Sequence, residues 1–259
     1  MNSLNKMLSL LDVFTPSAPI WSTDDLIRYA RASRSTCYRY IKALQDAGLL
    51  TPVGTSSFVL GPRIIEWDRQ IRFCDPIYTT CGPVIQKLSD QTKCSSLLCV
   101  LYSDMVMCVR EVLRPDAPPE LFGRGQKRPL FAGAASKIIL AYLPPHQLKS
   151  LHQKHRKTIA ASGLGADWDA FRESLKAIRQ AGHCVTLGEF NPGVRGVAAP
   201  LFNKYGKVLG SVGIGGQASR LPEAMLPKVS KRVRDAAAEI TRQISTTNFE
   251  TVLPARAVG

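Results

Sequence analysis

The 259-residue sequence predicts an α+β protein built in two parts. Three observations carry this. Short amphipathic helices and a tight hairpin fill the first sixty residues, apolar strand-like runs alternate with helical segments from Ser95 onward, and two helical stretches opened by Pro62 join them. With 45% apolar and 21% charged residues, the composition is that of a globular chain with material for a sizeable core. The longest apolar runs, residues 97–102 and 138–143, fall far short of the roughly 20 residues that span a bilayer. The first fourteen residues are interrupted by Asn, Ser and Asp and do not read as an export signal, so a cytoplasmic protein with no membrane partner is expected.

Leu4, Met7, Leu8, Leu11 and Phe14 recur at helical spacing, which predicts a first helix over residues 3–14, ended before Pro16. Ser22 is an N-cap candidate, with Asp25 three residues on in the place of a capping-box Glu, and a second short helix follows over 23–30. Ser33 or Ser35 caps a third helix to about Ala47, with Tyr38, Ile41, Leu44 and Cys37 as its apolar stripe and Gly48 as its stop. Residues 49–53 and 58–60, around the turn Gly54-Thr55-Ser56-Ser57, read as a hairpin. Three helices followed by a hairpin is the order of a winged helix-turn-helix, assigned here to residues 1–61.

Charge sharpens that assignment. The chain carries a formal +14, yet residues 1–75 contribute only +2 and the remainder +12, so bulk charge does not locate an acidic partner. Local clustering does. Residues 26–45 hold five cations (Arg28, Arg31, Arg34, Arg39, Lys42) and no acid. Ser33, Arg34, Ser35, Thr36, Tyr38, Arg39 and Lys42 sit at and after the start of the third helix, where a recognition helix meets the major groove. Arg donates two hydrogen bonds to a guanine edge, and Ser and Thr reach phosphates or bases. Thr55, Ser56 and Ser57 form the tip of the hairpin, which brings no Lys or Arg.

Pro62 suits the first turn of a helix, and Ile64, Ile65, Trp67 and Ile71 continue it to Asp75-Pro76. A second helix is expected over 78–88, making residues 62–90 a linker. Strands over 96–102 and 105–113, helices over 132–142, 147–157 and 168–180, strands over 183–187, 195–201 and 208–214, and a closing helix over 222–246 predict an α/β sheet domain over residues 91–253.

The stretch from Ser33 to Trp67 resembles the DNA-binding half of IclR-family transcriptional regulators. It carries Ser35-Thr36-Cys37-Tyr38-Arg39, a Leu44-to-Leu49 turn with Gly48, and Leu60-Gly61-Pro62-Arg63. The resemblance continues through Gly125-Gln126-Lys127-Arg128-Pro129-Leu130, Ala134-Ala135-Ser136-Lys137 and the run from Glu189 through Gly193 and Arg195-Gly196 to Pro200. It implies a GAF-like effector domain, assembly as a homodimer or homotetramer, a palindromic double-stranded DNA operator and a small organic acid as effector. Ser136 departs from the family, which commonly has Gly there. A carboxylate pocket wants a helix N-terminus or an Arg. The motif positions therefore nominate Ala134, Ala135 and Ser136 at a helix start, Arg195 on its strand, and Ser211 and Gly213 on the next.

Other patterns carry less. The seven cysteines contain no C-x-x-C pair, and most of them read as small buried hydrophobes. Gly213-Ile214-Gly215-Gly216-Gln217-Ala218 fits a dinucleotide fingerprint but leaves no room for the βαβ unit that must follow. His146, His152 and His155 lie among Lys149, Lys154, Arg156 and Lys157, which read as a solvated basic helix rather than a metal site. No G-x-S-x-G elbow and no backed carboxylate pair argue for catalysis, so no enzyme activity, cofactor or metal is expected. The competing classes are a metabolite-binding or enzymatic α/β domain with a DNA-binding head, and a non-specific nucleic-acid binder.

Overall fold

A computed structural model of the chain describes residues 2–115, 117 and 122–246. The chain divides into two compact units, Met1–Asp75 and Pro76–Gly259. The expected end of the second domain, residues 247–253, lies outside the described residues.

The first unit runs α1 (Ser3–Ser9), a 3₁₀ turn (Leu10–Val13), β1 (Trp21–Ser22), α2 (Thr23–Ala30), α3 (Arg34–Asp46), β2 (Leu50–Val53), β3 (Ser57–Leu60) and α4 (Arg63–Cys74). The predicted first helix thus tightens to 3₁₀ for its last turn. A two-residue strand, β1, escapes sequence reading because it is too short to show alternation; it joins the hairpin in the order β1-β3-β2. The caps follow expectation. Ser22 Oγ accepts from Asp25 N–H at 3.2 Å and donates to its carboxylate at 2.6 Å. That bond, ahead of the Arg28 guanidinium, holds the Asp25 carboxyl below its usual range. Ser33, not Ser35, caps α3, accepting from Thr36 N–H.

One residue of the α3 stripe changes places. Tyr38 is 50% exposed, whereas Tyr40 is buried with Cys37, Ile41 and Leu44. Spacing of three, four and seven from Cys37 selects Tyr40, Ile41 and Leu44, and Tyr38 falls on the opposite face. The Tyr40 hydroxyl pairs with Ser3 Oγ at 2.7 Å and ties α1 to α3. Gly48 ends the helix at φ +71, a conformation open to glycine without steric cost. The Ser56 carbonyl accepts from Thr23 N–H and Oγ1, pinning the hairpin tip to the start of α2.

The second unit contains α5 (Pro76–Thr92), β4 (Ser95–Tyr102), β5 (Met105–Val112), β6 (Lys127–Pro129), α6 (Ala134–Ala141), α7 (Pro145–Ala161), α8 (Trp168–Ala181), β7 (Cys184–Leu187), β8 (Val194–Phe202), β9 (Val208–Gln217) and α9 (Leu226–Thr246). The six strands run in the order β6-β5-β4-β9-β8-β7, and every ladder is antiparallel. The unit is therefore α+β rather than the expected α/β. Adjacent strands are never joined in parallel by a helix, so no βαβ crossover forms. β6 is short, polar and ends in Pro, and it carries no strand signal in the sequence.

Alternation along the strands divides two cores. Leu97, Cys99, Val106, Cys108 and Ala198 face α6, α7 and α8, while Leu98, Ala199, Leu201, Val212 and Ile214 face α5 and α9. His152 on α7 is buried rather than solvated, its ring 5.5 Å from both Trp168 and Phe171. Its i+3 neighbour His155 stacks 5.2 Å from Phe131, and no group of three metal-ligating side chains forms among the described residues.

Six cysteines are buried as expected, with Cys74 exposed. Burial pushes the Cys184 thiol up to about 12, and the contact with Cys108 together with burial raises Cys99 well above its usual value. Because the thiolate is the nucleophile, an alkylating reagent at pH 8 should leave Cys99 and Cys184 unmodified in the native protein and label them on denaturation, by peptide mass mapping. Fast native labelling of Cys184 would contradict this packing.

Candidate functional site

The exposed face of α3 is the first candidate. Ser35, Tyr38, Arg39 and Lys42 are exposed and stand at i, i+3, i+4 and i+7, opposite the buried stripe. Ser33 spends its hydroxyl on the cap, and Thr36 is half-buried beside it, 2.8 Å between oxygens. Two of the cations are paired within the unit: Arg34 with Asp24 at 2.5 Å and Lys42 with Asp46 at 2.7 Å. All four of these side chains are well exposed, so a phosphate can exchange for either carboxylate at little cost. Arg39 meets no carboxylate among the described residues. Thr55 and Ser56 are exposed at the hairpin tip, and Ser57 is half-buried as the first residue of β3.

The second candidate is a cavity of about 90 Å³ between the start of α6, the ends of β8 and β9 and the loop after β7. A water needs about 10–15 Å³ on such a measure, so the space admits a small molecule. Ala134, Ala135, Ser136 and Gly213 line it, as the sequence suggested. Gly133 opens the helix at φ +79, and a Cβ there would strike the Phe190 ring at 2.7 Å. Glycine thus meets two demands, a left-handed backbone and a ring packed on it.

Two expected residues are not in the cavity. Arg195 is buried on the other face of the sheet, where its guanidinium donates to the Leu221 carbonyl at 2.6 Å and lies 3.7 Å from the exposed Glu223 carboxylate. Period two is the reason. Val194 and Gly196 border the cavity, so the side chain between them points away, toward the segment leading into α9. Ser211 faces the correct side but is fully buried beneath α6, donating to the Ala135 carbonyl at 3.0 Å, and so holds the helix rather than a ligand.

The cavity instead owes its polarity to residues sequence reasoning passed over. Glu189 accepts from Gly133 N–H at 2.7 Å and from the Lys137 ammonium at 2.6 Å, and Lys137 also donates to the Ser162 carbonyl at 3.1 Å. Thr186 Oγ1 accepts from Ala134 N–H at 3.1 Å. The Ala135 N–H, next in the turn, meets no acceptor among the described residues, and neither does the Ser136 hydroxyl on the cavity wall. Arg128 on β6 supplies the cation. Its guanidinium lies 4.3 Å from the Phe190 ring centre and 5.1 Å from that of Phe122, and burial lowers its pKa from the usual guanidinium value. Signals for these residues existed in the sequence: Arg128 and Glu189 both stand inside motifs quoted for the family resemblance.

The net arrangement is one internally neutralised carboxylate, one aromatic-flanked cation and a free donor at a helix start, enclosed by Leu97, Ala198 and other small residues. Its chemistry is suited to a small anion with an apolar body.

Comparisons with known proteins identify the relatives of this chain. Residues 75–242 match the family described as bacterial transcriptional regulator IclR, C-terminal. The HTH-type transcriptional regulator KipR of Bacillus subtilis is 23% identical over 242 residues, covering 93% of this chain and 96% of that one. The transcriptional repressor IclR of Escherichia coli is 24% identical, covering 93% and 89%. Among solved structures, an IclR regulator from Silicibacter sp. TM1040 superposes with a TM-score of 0.78 at 22% identity, covering 94% and 96%. An IclR homologue from Microbacterium hydrocarbonoxydans, complexed with 4-hydroxybenzoate, gives 0.76 at 19% identity, covering 95% and 100%. With the family match spanning most of the chain, the protein belongs to the IclR family of bacterial transcriptional regulators.

Proposed function

We propose that the chain is a sequence-specific DNA-binding regulator whose affinity for a double-stranded operator is set by a small organic acid bound at the start of α6. The observation that carries the reading is the pairing of one exposed polar–cationic helix face with one enclosed cation-bearing cavity in the same chain. In the first unit, α2, α3 and the β2–β3 hairpin act as a winged helix-turn-helix, with α3 entering the major groove and Arg39 as its principal base-reading side chain. In the second, Arg128 pairs with the acid, the Ala135 N–H and Ser136 hydroxyl serve its oxygens, and Phe122 and Phe190 cover its body. That a structural neighbour of this fold holds 4-hydroxybenzoate favours acids of that size.

Action on a palindromic operator requires a symmetric assembly, a homodimer or homotetramer. The exposed apolar side chains of α4, Ile65, Trp67, Ile71 and Phe73, favour self-association. The acid alters operator affinity only by binding unequally to two arrangements of the reading heads, and residues 62–88 are the segment through which such a difference passes.

Two experiments test this. Arg39→Ala should weaken binding to a selected operator by about 1–3 kcal/mol with an unchanged melting temperature; unaltered affinity would remove α3 from the interface. Against a panel of small aliphatic and aromatic carboxylic acids, Arg128→Ala should abolish the acid-induced change in operator affinity. Arg195→Ala should lower the melting temperature yet keep that response, and the reverse pattern would return the carboxylate to Arg195.

A further inference from the structure

Three non-glycine residues among those described have positive φ: Arg31 at 47°, Lys93 at 57° and Ser103 at 59°. Ser103 sits with Asp104 in the two-residue β4–β5 turn, where such a backbone is required. Arg31 and Lys93 follow helices, positions that glycine fills at no steric penalty. The conformation alone assigns nothing, since both chain positions share it. What separates Arg31 is its surroundings.

Arg31 is exposed and forms the C-terminal cap of α2, with ψ 44°, three residues before Arg34 opens α3. Within the run of five cations from Leu26 to Gln45, Arg28 is paired with Asp25, Arg34 with Asp24 and Lys42 with Asp46. Arg31 and Arg39 are the two that meet no carboxylate among the described residues. Arg39 lies on the outward face of α3, whereas Arg31 lies beside the entry to that helix. A helix C-terminus favours a cation, but Arg28 already supplies one in the last turn of α2. A left-handed backbone at a residue whose side chain shows no hydrogen bond or ion pair among the described residues is a place to look for function.

We propose that Arg31 is a DNA-backbone contact: its guanidinium engages a phosphate flanking the groove that α3 enters, fixing the register in which Arg39 reads bases. This rests on the DNA-binding reading above. Phosphate contacts position a protein without specifying sequence, so loss of Arg31 weakens operator and unrelated duplex alike. The contact offsets the steric cost of an arginine at a left-handed position that glycine adopts freely.

The test uses the full-length protein and a duplex that the wild type selects from a random library, with a scrambled duplex as control. Arg31→Gly relieves the backbone and removes the charge; Arg31→Asn also tolerates the left-handed region and removes the charge. Both should bind the selected and scrambled duplexes about five- to tenfold more weakly, with the slope of log affinity against log salt reduced by about one per head engaged. Arg31→Gly should melt no lower than the wild type. Arg31→Lys should keep most of the salt slope. If the wild type binds and Arg31→Gly binds equally well, the proposal falls while the DNA-binding reading stands. A lower melting temperature with unchanged affinity would make Arg31 a helix-end stabiliser and overturn it too. If the wild type selects no duplex, the underlying reading fails with it.

Discussion

The carboxylate of Glu189 is the interaction on which the second unit's cavity depends. It bonds the Gly133 N–H at the mouth of α6 and the Lys137 ammonium one turn further in, and Lys137 reaches on to the end of α7 through the Ser162 carbonyl. The Lys137 side chain is only 9% exposed and the Glu189 side chain 27%. At that burial, removing one partner leaves the other poorly solvated, a cost of several kcal/mol in fully buried pairs and less here. The same bonds fix the loop that carries Phe190 and Asn191, so the wall of the cavity and its electrostatics are set by one contact. Because Glu189 is neutralised within the protein, the helix start is not simply an empty anion site. In the proposed reading, the Arg128 guanidinium between Phe122 and Phe190 and the Ala135 N–H attract the acid.

The first unit works by a different principle. Its helices are short, and their stability comes from caps and from one shared apolar cluster rather than from intrinsic helix propensity. Ser22 and Ser33 start α2 and α3, Gly48 stops α3, and Leu26, Cys37, Ile41, Leu44 and Phe58 lock them together. Burying this stripe leaves the other face of α3 polar, cationic and outward. The packing that makes the unit fold is therefore what presents Arg39 and Tyr38.

Much of this was legible in the sequence because it follows from short-range rules. Caps at Ser22 and Ser33, the hairpin around Gly54, and most of the strands and helices of the second unit are written in local spacing. Ala134, Ala135 and Ser136, singled out by their motif, line the cavity. Failures arose where tertiary placement decides. Tyr38 and Tyr40 differ by two residues, and only the full stripe tells which is buried. Arg195 was the strongest carboxylate candidate by chemistry, but alternation along β8 turns it to the opposite face from its neighbours Val194 and Gly196. Arg128 stands on a three-residue strand with no periodic signal, and its role depends on Phe122 and Phe190 from elsewhere in the chain. The antiparallel order of the sheet is likewise a pairing property that no single segment reveals.

The central claim is that a small acid occupies the space between α6, Arg128 and the Glu189 loop. Amide hydrogen exchange on the intact protein measures this most directly, with and without the carboxylic acid that raises its melting temperature most. The account predicts slowed exchange at residues 133–137 and 189–191, with the Ala135 amide among the protected. Protection confined to other segments, with these amides exchanging as before, would contradict it.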